Sequence, residues 1–447
     1  MLTRILVVLV ALLAWAPAWS PAWAVTIQRV ISPGGIEAWL VEDKTVPIIA
    51  LDVSWRGGSA LVPAEKRGIA EMAMELLDEG AGPHDSQAFK RQLEDLSISL
   101  SFSAHLETVS GGLSTLRDNR ETAFALMRLA LTEPRFDQDA IDRLRDQKLS
   151  GLVQSAQQPR TIANRAWWRS VFPEHPYGRQ ASTAETLKRV VADDLRRFVR
   201  DRLARDNIML GVVGDISADE LRPLLDRTFG GLPATSVPAE VPAVTPAARG
   251  DVMVVRRGVP QSVVTFGHGG IKRDDPDWYA AHVMNHLMGG GGFTSRLMRE
   301  VREKRGLAYG VSTGLVPMDQ AAAIVGTVAT ENSRVAQSIE IIKAEWARFA
   351  AEGPSQQELD EGKTYLTGSF ALQFDTARRV AGILVSIQRD RLGIDYISER
   401  NRLIERVTIE DVRRVAKRLL DPANLTFVVI GEPQGVSPTR EAPTPEG

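Results

Sequence analysis

The sequence contains no cysteine. That excludes disulfides, thiol nucleophiles and every thiolate metal site. Histidine is scarce as well, with six residues, so any metal would have to be held by a few imidazoles and by Asp or Glu. No basic excess exists: 54 Lys and Arg stand against 56 Asp and Glu, a formal charge of −2. Nucleic acid is therefore not an expected partner, because its backbone is bound by surplus positive charge. Beyond the N-terminal segment no apolar run approaches the ~18 residues of a membrane helix. What remains is ordinary globular composition, 44% hydrophobic and 25% charged over 447 residues. That length suits two or three domains.

Residues 1–24 read as a secretory signal. Arg4 gives the positive start, Ile5 to Ala14 the apolar stretch, and Ala22-Trp23-Ala24 the small residues that a signal peptidase reads. Cleavage is expected after Ala24. The mature protein is then expected to be periplasmic or secreted, with no membrane attachment.

The mature chain contains itself twice. DLRRFVRDRLARDNIMLGVVGD from Asp194 aligns without gaps on DVRRVAKRLLDPANLTFVVIGE from Asp411. Each copy reads as an amphipathic helix, a short turn and a buried strand. The same spacing sets Lys148-Leu149-Ser150-Gly151-Leu152 on Tyr365-Leu366-Thr367-Gly368-Ser369. Nearer the start of each half, Trp55-Arg56-Gly57-Gly58 and Gly267-His268-Gly269-Gly270 end strands that precede helices at Gly68–Leu77 and Pro276–Met288. A repeat this long is no solenoid unit. The expected architecture is α+β, two homologous α/β-layered domains facing across a cleft. The boundaries are 25–235 for the N-terminal domain, a Pro- and Ala-rich linker at 236–249, 250–434 for the C-terminal domain and a disordered polar tail at 435–447.

Three segments carry a resemblance over nearly all of the mature chain. They are VPIIALDVSWRGGSALVPAEKRGIAEMAMELLDEGA, FPEHPYGRQASTAETLKRVVADDLRRF and GGGGFTSRLMREVREKRGLAYGV, the last being the most specific. Together they resemble the insulinase/pitrilysin family (peptidase M16-like), which includes the mitochondrial processing peptidases. The resemblance implies paired α+β domains and, in active members, a zinc endopeptidase acting on extended peptides. Active members carry H-x-x-E-H, in which two His one helical turn apart bind Zn²⁺ and the Glu activates a water. Here the corresponding residues are Glu71, Met74 and Glu75, and the region of the distal ligand, Lys148 to Leu152, has no carboxylate. No metal is expected in this chain.

Helical spacing puts Ile69, Met72, Ala73, Leu76 and Leu77 on a buried stripe, with Glu71, Glu75 and Asp78 opposite. That opposite face reads either as a solvated acidic face or as the lining of a cleft. Met74 sits among its carboxylates. In the second half, Arg302 and Tyr309 stand where the family places an Arg and a Tyr that hold substrate or the tetrahedral intermediate. From spacing alone, a surface salt bridge for Arg302 and a half-buried strand position for Tyr309 are the favoured readings, and the family context reverses that. His282 and His286, one turn apart, are a possible metal pair, but Asn285 between them is no base. His175 reads as structural.

The resemblance implies a zinc-less subunit of a heterodimeric peptidase. It would supply Arg302 and Tyr309 to the zinc site of a homologous partner subunit and act on peptide, with Zn only in that partner. The alternative is a peptide-binding or scaffold protein without any part in catalysis. A third reading is a hydrolase built on His282 and His286.

Overall fold

The computed structural model describes residues 26–179 and 182–443. The signal segment lies outside the described residues.

The strands of the first half are β1 (Gln28–Ile31), β2 (Glu37–Glu42), β3 (Ile48–Arg56), β4 (Ser99–Ala104), β5 (Thr108–Leu116) and β6 (Ile208–Gly214). Its helices are α1 (Ile69–Glu75), α2 (Ser86–Asp95), α3 (Arg120–Thr132), α4 (Gln138–Ser155), α5 (Pro159–Val171), α6 (Ala184–Arg189), α7 (Ala192–Arg202) and α8 (Ala218–Phe229). The second half has β7 (Val252–Arg256), β8 (Gln261–Gly269), β9 (Ala308–Pro317), β10 (Ala322–Glu331) and β11 (Thr426–Gly431). Its helices are α9 (Trp278–Asn285), α10 (Val335–Glu352), α11 (Gln356–Gly368), α12 (Ala377–Arg389), α13 (Tyr396–Glu405) and α14 (Ile409–Leu419).

The duplication is visible in the sheets. One runs β1-β2-β6-β3-β5-β4 and the other β7-β11-β8-β10-β9. Without β1 the two orders are the same, and in each the single parallel pair lies at the same place, β2 with β6 and β7 with β11. The aligned acids start equivalent helices. Asp194 accepts from the Val191 amide at the head of α7, at 3.4 Å, and Asp411 from the Thr408 amide at the head of α14, at 3.1 Å. Each satisfies an amide that the helix leaves unpaired.

Each half lends a helix to the other. α5 leaves the first sheet and packs on β8 and β11, where Trp167 Nε1 donates to the Thr426 carbonyl at 3.1 Å. α12 leaves the second sheet and packs on β3 and β6. Trp167, Phe172 and Tyr177 join Met253, Val428 and Ile430 in one shared core, while Val380 and Leu384 join Trp39 and Val213 in the other. This explains why β6 and β11 are buried almost throughout: own helices cover one face and the borrowed helix covers the other.

The linker is pinned between the halves. The Val244 amide donates to the Gln320 carbonyl (3.0 Å), the Ala247 amide to the Val171 carbonyl (2.8 Å), and His175 Nε2 meets the Pro242 carbonyl at 2.9 Å. Between the halves lies a cavity of about 430 Å³, lined by Arg56, Leu61, Glu107, Asp319, Gln320 and the linker. The described part of the tail, to residue 443, has no regular secondary structure and lies on β7. Thr439 exchanges two hydrogen bonds with Val252, and Arg440 reaches Asp251 at 3.4 Å. No helix among the described residues is long and apolar enough to cross a membrane.

Candidate functional site

Helix α1 begins after Gly68, whose φ of +101° lies in the left-handed region, and a Cβ there would come within 2.7 Å of Leu187. The helix turns Glu71 and Glu75 toward Lys148 of α4. Met74 is not on a wet face. It is fully buried in the core of the first half, and what covers it is the protein itself. Of the acids, only Glu75 is exposed. Glu71 Oε2 is buried with no hydrogen-bond partner among the described residues. Burial raises the Glu71 carboxyl above its ordinary value, a nearby Lys148 pulls it back and Glu75 adds to the rise. Burial also lifts Asp78, to about 6, with Glu79 adding to it. The reading of a solvated acidic face therefore fails for two of three carboxylates. The cause is the tight packing of this short helix against its neighbours.

Lys148 of α4 settles what Glu75 does. Its Nζ lies 2.8 Å from Glu75 Oε1. A fixed ammonium thus sits against one residue of the degenerate zinc motif. Zn²⁺ needs several N or O donors turned toward one point, with room for a water. Here one position is an enclosed thioether and another already holds a cation, so these residues do not fit the metal. Among the described residues no group of three or more His, Asp or Glu is arranged to hold a metal ion.

The second half has the same pair of positions with different chemistry. His286 and Tyr365 match Glu75 and Lys148, and their rings stack with centroids 5.2 Å apart at 22°. His282 matches Glu71. Burial, Arg400, His286 and Arg273 push its imidazole down to about 4, so it is neutral at physiological pH. Its charged surroundings are guanidinium groups, the opposite of what a divalent cation requires. In this structure His286 packs on the Tyr365 ring and His282 is buried beside guanidinium groups. Asn285, between them, exchanges hydrogen bonds with Thr313.

Arg302 lies in a wide-turned helical segment, Met298–Glu303, with π-type bonding such as Lys304 N to Arg299 O at 3.0 Å. Such segments are uncommon and often found at functional sites. Its neighbours are neutralised. Arg296 and Arg299 bind Glu358 at 2.7 and 2.9 Å, and Lys304 and Arg305 bind Glu300 at 2.7 and 2.6 Å. Burial opposes charge on Glu300, but these two cations outweigh it and hold its carboxyl down at about 2. Arg302 has no carboxylate partner among the described residues. Its guanidinium instead lies over two rings, Phe293 at 4.6 Å and Tyr309 at 4.5 Å.

Tyr309 is 85% exposed at the start of β9, the edge strand of its sheet. The register with β10 slips here: Ala308 pairs with Thr330 and Val311 with Val328, so two residues, Tyr309 and Gly310, face one. A bulge of this kind bends the strand and re-aims a side chain. It turns the phenol outward beside Arg302. Tyr309 and Gly292 also line a groove of about 520 Å³ that runs along Gly310 and Ser312 to Arg160 of α5. The structure thus brings together a half-buried Arg302, with no salt bridge among the described residues, and an exposed Tyr309. Sequence reasoning missed Phe293; a large apolar residue straight after four glycines was the available signal.

A family model described as the peptidase M16 inactive domain matches residues 189–366. A Helicobacter pylori protein named non-peptidase homolog YmxG is 25% identical over 391 residues, 87% of this chain and 90% of its own. A Pseudomonas fluorescens structure titled peptidase M16 inactive domain superposes with a TM-score of 0.85 at 26% identity, covering 94% of this chain and all of that one. Over most of its length the chain is similar to M16 peptidase homologues described as inactive or non-peptidase. Where active members carry H-x-x-E-H, it has Glu71, Met74 and Glu75. The periplasmic protease PqqL of Escherichia coli has the same fold at a TM-score of 0.77 and 18% identity, over 91% of this chain but 45% of PqqL.

Proposed function

We propose that this M16 homologue is the zinc-less subunit of an exported two-subunit peptidase, and that it lends Arg302 and Tyr309 to the zinc site of a homologous partner. The observation that carries the reading is the state of Arg302. Among the described residues it is the cation of a strongly basic segment that has no carboxylate partner, held 4.5 Å from an exposed phenol beside an edge strand. Both groups are hydrogen-bond donors, and both suit a peptide carbonyl oxygen on which negative charge develops. The edge of β9 offers main-chain partners to an extended peptide with little demand on its sequence. That PqqL is more than twice as long as the region it shares with this chain is consistent with a protease built from two such units.

The test is reconstitution. The purified chain is mixed with a zinc-bearing M16 homologue from the same cell, and cleavage of an unstructured peptide is followed. The mixture should be active. Arg302→Ala or Tyr309→Phe should lower the rate by about 10²-fold, as for the loss of one oxyanion donor. Full activity of both variants would favour the scaffold reading, in which the fold is kept for holding peptides.

A further inference from the structure

Phe293 has no part in the reading above, yet its placement is costly and specific. Three glycines before it are packed so tightly that a Cβ on Gly289, Gly290 or Gly291 would come within 2.5, 2.6 and 2.7 Å of Thr313, Asn285 and His286. The fourth, Gly292, turns with φ of +58° and opens onto free space. The run therefore anchors the loop on α9 and β9, then releases one large apolar side chain, 62% exposed, over the Arg302 guanidinium. A ring left this far in water gains little from burial, so its contact with the cation is what distinguishes the position.

We propose that Phe293 is a positioning residue for Arg302. Resting on the function proposed above, its ring and that of Tyr309 fix the plane of the guanidinium before substrate arrives. The geometry suits this task. The donors of a guanidinium lie in its plane, so contacts on its faces hold it still while leaving every N–H free for a carbonyl oxygen. An acid partner would hold it too, but would consume those donors and the charge.

Two measurements test this. In the chain alone, labelled at arginine Nε and assigned with Arg302→Lys, the Arg302 Nε–H proton should be displaced upfield by the rings. Phe293→Tyr should keep that displacement and Phe293→Leu should lose a large part of it; an unchanged signal in Phe293→Leu would overturn the proposal. In the reconstituted pair, Phe293→Leu should lower kcat by about tenfold with little change in KM, while Phe293→Tyr stays within about twofold. Arg302→Ala and Tyr309→Phe are run alongside. If these slow the reaction and Phe293→Leu does not, the role of Phe293 is wrong and the function stands. If none slows it, or the wild-type pair is inactive, the proposed function fails, and the proton signal still decides whether Phe293 holds Arg302.

Discussion

The two halves of the chain descend on the same frame and have filled the same place differently. In the first, Glu75 of α1 and Lys148 of α4 form an ion pair at 2.8 Å. In the second, His286 after α9 and Tyr365 of α11 stack at 5.2 Å. Between them stand a fully buried Met74 in one half and a hydrogen-bonded Asn285 in the other. Neither arrangement converges donors on a metal. The lesson is that each helix pair is closed by contacts between its own side chains, an ion pair in one half and a ring stack in the other. In the second half Arg302, half-buried, has no carboxylate partner among the described residues and lies over two rings instead.

The largest effect should come from forcing the base position back. Met74→Glu puts a carboxylate into an enclosed apolar place and should cost about 3 kcal/mol or more. The matching Asn285→Glu, at a half-buried polar position, should cost about 1–2 kcal/mol through its lost bonds to Thr313. Urea unfolding of both variants measures the difference; equal costs would break the comparison.

The next contrast is in pH. Asp78, lifted to about 6 by burial and Glu79, has Gly289 at the matching place in the second half. A carboxyl whose folded value is raised contributes stability below its unfolded value near 4 and loses it as pH rises through about 6. Asp78→Asn should therefore stabilise the protein at pH 7.5 by about 1–2 kcal/mol and change little at pH 4. Parallel melts of variant and wild type across pH 4 to 8 would show no such crossover if Asp78 were solvated.

The smallest effect separates the two closures themselves. Lys148→Ala removes a partly exposed ion pair and should cost about 0.5 kcal/mol, less in high salt. Tyr365→Ala removes a ring stack and should cost about 1 kcal/mol with no salt dependence.

Much of this was legible in the sequence. The gapless match of Asp194 and Asp411 announced both equivalent helices, because the capping acid, the amphipathic face and the buried strand all recur together. The substitutions at Glu71, Met74 and Glu75 were equally plain. What was not legible depends on distant partners. Nothing local says that α5 and α12 cross to the opposite sheet; each shows only an apolar face. Lys148 read as an absent carboxylate, and its bond to Glu75 needed the packing of α4 on α1. Spacing alone made Tyr309 a half-buried strand residue; it is in a strand, but a bulge set by the register with β10 exposes it. Met74 was misplaced because helical spacing assumes one wet face, and this helix has almost none.

The central claim is that the first half holds no catalytic metal because its own side chains occupy the place. Metal content of the purified chain, equilibrated with zinc and washed, is the direct measurement. The account predicts well under one zinc per chain, unchanged in Glu71→Ala and Glu75→Ala. One tightly held zinc per chain, lost in those variants, would contradict it.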